Sequence, residues 1–157
     1  MSVVLPETSQ RVDPAWIDYN GHMNLAYYVL AFDQATDTFH DVLGIGLDYR
    51  ERMNSSMFTL AINVDYIREV FADDRLRITT QLLECDAKRL RYFHRMYQGD
   101  PENLVATNEC LAVHVDMHSR RSAPFPEATR TRIEDLFAAH RQLPVPERAG
   151  RVLGVRG

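Results

Sequence analysis

The residues best suited to chemistry lie in a polar turn just before the first long helical pattern. They crowd into seven positions and are Asp18, Asn20, Gly21, His22 and Asn24. The first amides of a helix lack partners inside the helix and together carry about half a positive charge, so they can bind an oxygen that becomes negative during a reaction. A carboxylate a few residues earlier, here Asp18, could activate water or attack a carbonyl group itself. This arrangement predicts chemistry on an acyl carbonyl.

The same residue types also suit a tight turn with no chemical role, because Asp, Asn and Gly are the commonest turn formers. Gly21 serves either purpose, since the lack of a side chain lets a ligand approach the backbone closely. His22 could orient Asp18 or bind the backbone of the turn. Residue types alone leave both interpretations open.

The segment after the turn is predicted to form a long helix over residues 24–43. Asn24 is a favourable N-cap residue, and Gly44 stands where a left-handed glycine commonly follows a helix. One face is apolar at the three-and-four spacing of a helix, and it comprises Leu25, Tyr28, Val29, Phe32, Ala35, Thr36, Phe39, Val42 and Leu43. We therefore expect this face to be buried.

The remaining pattern predicts a run of strands and a closing helix. Apolar and polar residues alternate over residues 57–66, 76–82, 90–96 and 104–117, with turn residues between them. A short strand is expected before the long helix, and a short amphipathic helix near Ile133 and Phe137. Successive strands joined by turns favour an α+β fold, with a curved antiparallel sheet wrapped around the long central helix. Residues 1–143 are predicted to form one domain, and residues 144–157 a tail without a core of its own.

Composition narrows the class of protein. The chain has 157 residues, 25% of them charged, and a net charge of -4, so no basic surface suggests nucleic acid or a membrane as a partner. No apolar run is long enough to span a bilayer or to act as a leader, which predicts a cytoplasmic protein. Cys85 and Cys110 have no metal-like or redox-like spacing and are expected to be reduced core thiols. We expect no metal.

The stretch Asp18-x-x-Gly21-His22-Met23-Asn24 resembles the D-x-x-G-[HI]-[VM]-N signature of the hot-dog-fold thioesterases related to 4-hydroxybenzoyl-CoA thioesterase. This resemblance implies an acyl-CoA thioesterase in which Asp18 is the catalytic carboxylate, as nucleophile or general base. It also implies that a backbone amide near Leu25 polarises the thioester. Coenzyme A (CoA) is then part of the substrate, and no cofactor is expected. Many relatives carry a second aspartate two residues before the catalytic one, where this sequence has Trp16.

A longer stretch, from Trp16 to Asn24 with Ala26-Tyr27-Tyr28 and Ala35-Thr36-Asp37, is similar to the thioesterases of bacterial carnitine breakdown, which act on betainyl-CoA. Their substrate carries a quaternary ammonium group, and such groups bind against aromatic faces. Trp16, Tyr19 and Tyr27 are close enough to Asp18 in sequence to supply those faces. Tyr28 is expected either in the core or in the pocket.

Basic residues on two strands could bind the CoA phosphates. The candidates are Arg91 within the third long strand and Arg120 and Arg121 at the end of the fourth, although alternating arginines also suit a solvated strand face. The resemblance further implies a homodimer or homotetramer with active sites between subunits, and a long exposed strand edge would also need a partner. Two competing functions remain open, a non-catalytic acyl-CoA sensor and an enoyl-CoA hydratase that uses Asp18 with His22.

Overall fold

The segments predicted as strands form one curved antiparallel sheet. The computed structural model describes residues 2–99 and 103–155, and within them the sheet has six strands. They are β1 (Glu7–Arg11), β2 (Ser55–Tyr66), β3 (Arg75–Cys85), β4 (Arg89–Gln98), β5 (Leu104–Asp116) and β6 (Arg121–Ser122). The order across the sheet is β1-β3-β4-β5-β2, and β6 pairs with β5. The predicted α+β architecture is confirmed.

Three helices accompany the sheet in the described ranges: α1 (Leu25–Val42), α2 (Leu47–Met53) and α3 (Glu127–His140). The long predicted helix is α1, and its N-cap is Asn24 as expected. The sequence analysis missed α2. That helix has seven residues and buries Tyr49 alone, so it shows no apolar repeat. Within the described residues, no helix is both long and apolar enough to cross a membrane.

The buried face of α1 packs against the sheet as its periodicity predicts. Its buried residues are Tyr28, Ala31, Phe32, Ala35, Thr36 and Phe39. Three members of the predicted face are not fully buried: Val29 is half-buried, Leu25 is 61% exposed and Val42 is 49% exposed. Leu25 and Val42 belong to the terminal turns of α1, where fewer side chains cover the helix.

A buried histidine joins α1 to the middle of the sheet. The ring of His94 on β4 is bonded on both sides, to the Thr36 hydroxyl at 2.9 Å and to the Thr80 hydroxyl at 2.8 Å. Phe32 stacks on the same ring with centroids 5.7 Å apart. Because both nitrogens have partners, the imidazole satisfies its polar groups without water.

Strand β2 lies at an edge of the sheet and is more exposed than its alternation predicts. Its exposed apolar side chains are Phe58, Leu60, Ile62 and Tyr66, which are 38%, 56%, 45% and 46% exposed. Pairing with β5 satisfies one side of β2, while no described strand pairs with the other side. A long apolar edge of this kind favours association with another strand.

The predicted tail is held against the sheet although it contains no helix or strand in residues 144–155. Its last two positions lie outside the described residues. Arg148 and Arg151 pair with the nearly buried carboxylate of Asp65, at 3.2 and 3.0 Å. The amide of Gly150 donates to Glu109 at 2.7 Å. Asp65 alternates with Val64, which packs on the core beneath α1, so the tail crosses the outer face of the sheet, away from α1.

Buried histidines give the fold a pH dependence that can be measured. Burial lowers the pKa of His94 from 6.5 to about 3 and that of His40 to about 4. Below pH 6.5 the unfolded chain therefore binds protons that the folded chain does not. The free energy of unfolding should fall as the pH falls toward these folded-state values, with His94 alone contributing about 1.4 kcal/mol per pH unit.

Urea unfolding between pH 7 and pH 5 tests this expectation, because this range lies above the ordinary pKa of carboxyl groups. The slope of the free energy of unfolding against pH should become shallower in His94→Gln, where His40 still contributes. The slope should be unchanged in His118→Gln, whose histidine is exposed. A wild-type stability that stays constant from pH 7 to pH 5 would contradict the assignment.

Candidate active site

The polar turn before α1 is a small hairpin closed by its own backbone. Ile17 and Met23 form an isolated antiparallel bridge at its base. The amide of Gly21 donates to the carbonyl oxygen of Asp18 at 2.9 Å. Gly21 has a φ of +84°, a backbone conformation that favours glycine. The reason for a glycine here is this conformation and not a lack of space, since an added Cβ atom would meet nothing within 4 Å. The tight-turn interpretation is therefore correct for the backbone, and it fixes where the Asp18 side chain lies.

Asn24 connects the Asp18 carboxylate to the first turn of α1. Its side-chain nitrogen donates to Asp18 Oδ2 at 2.9 Å, while its side-chain oxygen accepts the amide of Ala26 at 3.0 Å. The other carboxylate oxygen, Oδ1, accepts the amide of Asn20 at 2.8 Å. The carboxylate thus lies beside the N-terminus of α1 with both oxygens held.

These hydrogen bonds keep Asp18 ionised. The amide of Asn20 and then the side chain of Asn24 hold the pKa of Asp18 below its ordinary value of 3.8, because both donors favour the charged form. The side chain is accessible to solvent, so water can reach it. A permanently charged, accessible carboxylate can act as a nucleophile or accept a proton from water.

The start of α1 offers a free amide next to this carboxylate. The amide of Ala26 binds Asn24 Oδ1, and the amide of Tyr27 binds the carbonyl oxygen of Asn24 at 3.0 Å. Within residues 2–99 and 103–155, the amide of Leu25 has no hydrogen-bond acceptor. An unpaired amide at a helix N-terminus is a site for a negatively charged oxygen.

Two backbone contacts fix the direction of this helix start. The amide of Asn24 donates to the carbonyl oxygen of Trp16, and that of Met23 donates to the carbonyl oxygen of Val70, both at 2.9 Å. Met23 is fully buried and anchors the turn in the core. The turn and the segment after β2 therefore hold the N-terminus of α1 from two sides.

The imidazole ring of His22 contacts the backbone of the turn and not the Asp18 carboxylate, although the carbonyl oxygen of His22 accepts the amide of Asp18 at 3.2 Å. Its Nδ1 lies 3.0 Å from the carbonyl oxygen of Met23, and its Nε2 lies 3.8 Å from the carboxylate of Glu69. Of the two roles considered for His22, binding the backbone of the turn is the one that the geometry realises.

The aromatic residues near the turn do not surround an empty space. Trp16 and Tyr27 stack on each other with centroids 5.4 Å apart and planes 9° apart, so no ligand fits between them. Tyr19 is 97% exposed and stands apart. Within this chain Trp16 and Tyr27 thus form a stacked pair and not an open cage with Tyr19, and a role of these three rings in binding the substrate stays a prediction. Tyr28 is buried, and its hydroxyl donates to the carbonyl oxygen of Arg68 at 3.1 Å.

A cleft of about 380 Å³ opens beside the N-terminus of α1, and the sequence analysis did not anticipate all of its walls. It is lined by His22, Met23, Leu25, Tyr28, Tyr66, Ile67, Arg68 and Glu69. Tyr66 could have been found from the alternation of β2, which places it on the face toward α1. Glu69 lies in a loop whose sequence carries no comparable signal.

The three arginines proposed for CoA lie away from Asp18 within this chain. Arg91 is held between Glu84 at 3.4 Å and Glu109 at 3.0 Å, so its charge already has two partners in this chain, and its role in binding CoA stays a prediction. Arg120 and Arg121 are exposed, as expected for a rim. They follow the Asp116 end of β5, whereas Tyr66 pairs with Ala106 near the other end, and ten residues of strand separate the two ends by roughly 30 Å.

Across the described residues, no group of three or more His, Cys, Asp or Glu side chains is arranged to hold a metal ion. Cys85 and Cys110 are free thiols, and burial raises the pKa of Cys110 to about 12, so that thiol stays protonated.

Comparisons with known proteins agree with this geometry. The thioesterase-like superfamily matches residues 12–133. The chain is 40% identical to a betainyl-CoA thioesterase of Pseudomonas aeruginosa over 155 residues, which cover 99% of this chain and 98% of the relative. It is 38% identical to an L-carnitine dehydrogenase/betainyl-CoA thioesterase of Ruegeria pomeroyi, covering 92% of this chain and 29% of that longer protein.

Solved structures have the same fold over nearly the whole chain. A hypothetical protein of Staphylococcus aureus in complex with CoA has a TM-score of 0.91 and 29% identity, covering 99% of this chain and 98% of its own. A proposed thioesterase of Pseudomonas putida has a TM-score of 0.84 and 32% identity, covering 100% of this chain and 99% of its own. The resemblance to hot-dog thioesterases that the turn suggested is confirmed.

The two hydrogen bonds of the Asn24 side chain can be separated by mutation. Asn24→Ala should lower the free energy of unfolding by about 1 kcal/mol, the usual value of an N-cap, and should raise the pKa of Asp18. Asn24→Ser should recover most of the stability, because serine is also a good cap, while the pKa of Asp18 stays raised. Urea unfolding and a carboxyl NMR titration measure the two effects. An unchanged Asp18 pKa in Asn24→Ala would contradict this assignment.

Proposed function

The chain belongs to the thioesterase-like superfamily and is an acyl-CoA thioesterase, and from this premise we propose that its substrate is betainyl-CoA. The observation that carries the proposal is the 40% identity to the Pseudomonas aeruginosa betainyl-CoA thioesterase over nearly the full length of both proteins. The Ruegeria pomeroyi relative is both an L-carnitine dehydrogenase and a betainyl-CoA thioesterase. We accordingly assign the protein to carnitine breakdown, in which it releases betaine and free CoA.

In the proposed mechanism, Asp18 starts hydrolysis of the thioester. As a general base, Asp18 takes a proton from water while the oxygen of that water attacks the thioester carbonyl carbon. As a nucleophile, the carboxylate attacks the same carbon, and water then hydrolyses the resulting anhydride. Both routes need an ionised carboxylate, which the hydrogen bonds from Asn20 and Asn24 support.

The helix start stabilises the charge that develops. As the carbonyl carbon becomes tetrahedral, its oxygen becomes negative and accepts a hydrogen bond from the free amide of Leu25. The positive end of α1 stabilises the same negative charge. Collapse of this intermediate breaks the carbon–sulfur bond. The departing CoA thiolate takes the proton that Asp18 removed from water in the general-base route, or a proton from solvent in the nucleophilic route. Removing one such donor commonly costs 10²- to 10³-fold in turnover.

The competing functions have less support. A hydratase would need Asp18 and His22 as an acid–base pair, but His22 binds Met23 and faces Glu69. A non-catalytic sensor would not need an ionised carboxylate beside a free helix amide. The curated relatives are moreover described as thioesterases.

We further propose that two subunits join through their β2 edges. The apolar side chains exposed along β2 continue onto α1, where Leu30 is 38% exposed. Between α1 and β2 lies an apolar groove that Val29, Leu30 and Ile62 help to line. Antiparallel pairing of two β2 strands would cover Phe58, Leu60 and Ile62 and satisfy the open edge, while Tyr66, the last residue of β2, would stay at the margin of the interface and line the cleft.

Such pairing also brings basic residues to the catalytic turn. A twofold axis near the middle of β2 would set the Ser55 end of one strand beside the Tyr66 end of the other. Arg120 and Arg121 follow the strand end that pairs with Ser55. Each active site would then combine Asp18 of one subunit with Arg120 and Arg121 of the partner subunit, which would bind the CoA phosphates.

Hydrolysis assays test the substrate and the role of Asp18. Thiol release from betainyl-CoA should exceed that from acetyl-CoA and butyryl-CoA at equal concentration. Asp18→Asn should lower turnover of betainyl-CoA at least ~100-fold, the scale for losing a base or nucleophile, without unfolding the domain. Asp13→Asn, at another loop aspartate, is the matched control and should retain activity. Near-wild-type turnover in folded Asp18→Asn would exclude Asp18 from the mechanism.

Mixed dimers test whether the site is shared between subunits. Arg120→Ala/Arg121→Ala should raise KM for betainyl-CoA with little change in kcat, and Arg141→Ala, at an exposed arginine after α3, should have no such effect. When this double variant is mixed with Asp18→Asn, each mixed dimer regains one complete site. Activity of the mixture should then exceed the sum of the two variants. Activity equal to that sum would place all three residues in the same site of one subunit, or show that the subunits do not exchange.

A further inference from the structure

The chemistry of betainyl-CoA restricts where its cation can be recognised, an argument that rests on the proposed function. The quaternary nitrogen is bonded to the carbon next to the thioester carbonyl, as the nitrogen of an amino acid is. Its distance to the carbonyl carbon is therefore about 2.5 Å. With the carbonyl oxygen at the Leu25 amide, the trimethylammonium group must touch the surface immediately around the N-terminus of α1.

An aromatic ring lies against that surface. The hydroxyl of Tyr66 donates to the carbonyl oxygen of Leu25 at 3.2 Å, which ties the end of β2 to the first turn of α1. Tyr66 and Tyr28 meet at 88° with centroids 5.1 Å apart. Tyr66 is 46% exposed, so part of its ring is free to contact a ligand. A methylated ammonium group binds well against such a π surface.

A carboxylate lines the same cleft. The side chain of Glu69 is 63% exposed and lies 3.8 Å from His22. The positive end of α1 repels a cation, so a quaternary ammonium group at this position needs anions nearby. Asp18 supplies one charge at the turn, and Glu69 supplies a second at the cleft.

The basic residue of the cleft directs its guanidinium to another segment of the chain. Arg68 contributes its carbonyl oxygen to Tyr28, while its guanidinium donates to the side chain of Asn103 at 2.8 Å. By contrast, the stacked pair of Trp16 and Tyr27 offers no space between its rings. We propose that Tyr66 and Glu69 form the subsite that recognises the quaternary ammonium group of the acyl chain.

A neutral isostere separates charge recognition from shape. In 3,3-dimethylbutyryl-CoA, a carbon replaces the ammonium nitrogen, so the acyl group keeps its shape and loses its charge. The measured quantity is the ratio of kcat/KM for betainyl-CoA to kcat/KM for this isostere. A ratio cancels changes in folding or in general catalytic power that a variant introduces. Wild type should favour the cation by at least about tenfold.

Three variants and a control test whether Tyr66 and Glu69 recognise the quaternary ammonium group. Glu69→Gln and Tyr66→Leu should each reduce the ratio about three- to tenfold, as expected for losing one anion or one cation–π contact. Tyr66→Phe keeps the ring and should keep the ratio. Glu51→Gln, at an exposed glutamate of α2, is the matched control and should also keep it. Because Glu69 is exposed, its variant tests the subsite even if Tyr66→Leu does not fold.

The outcomes distinguish the two proposals. A wild-type ratio near one would overturn betainyl-CoA as the substrate, and the subsite with it. A high wild-type ratio that survives in both Glu69→Gln and Tyr66→Leu would overturn the subsite alone and leave the proposed function standing.

Discussion

Asn24 uses the two polar atoms of one side chain on two different partners. Its oxygen caps α1 through Ala26, and its nitrogen holds the carboxylate of Asp18. The residue that starts the helix is therefore also the residue that fixes the carboxylate next to it. The cap uses the amide of Ala26 and leaves that of Leu25 free. The negative charge of Asp18 and a free amide that can bind an oxygen therefore lie side by side. The proposed mechanism of thioester hydrolysis depends on that single constraint.

The rest of the molecule makes the position of α1 rigid. Thr36, His94 and Thr80 form a buried hydrogen-bonded row that fixes the middle of α1 on the sheet. At its start, Tyr66 and Trp16 bond to the backbone of residues 24 and 25. A helix held at these points cannot slide without breaking buried hydrogen bonds, each of which costs free energy if left unpaired. The catalytic geometry is thus prepared before the substrate binds.

Charge is distributed unevenly over the two faces of the sheet. On the outer face, arginines and carboxylates neutralise one another, through Arg91 with Glu109 and through Arg148 and Arg151 with Asp65. The pairs with Asp65 attach the tail to the sheet. Arg120 and Arg121 remain exposed at the rim. An acyl-CoA substrate with a cationic acyl group and an anionic nucleotide needs separate sites for its two charges. We propose Glu69 of one subunit for the first charge, and Arg120 and Arg121 of the partner subunit for the second.

Much of the fold and the centre of the candidate site could be predicted from the sequence, because they depend on neighbours in the chain. Helix α1, its cap at Asn24, the alternating strands and the turn around Gly21 follow from spacing and residue type. Asp18 was found for the same reason, since it lies six residues before its partner Asn24. The family resemblance then favoured chemistry over a plain turn.

Contacts between distant segments were decided by the tertiary structure alone. Tyr66 reaches Leu25 across 41 residues of sequence, and Arg91 meets Glu109 on the next strand. The stacking of Trp16 on Tyr27 replaced an expected cage, because a local pattern does not say which way a ring turns. Helix α2 went unnoticed because it buries too little to leave a repeat. Sequence spacing thus determined the helix start and its carboxylate, whereas packing determined which side chains surround them.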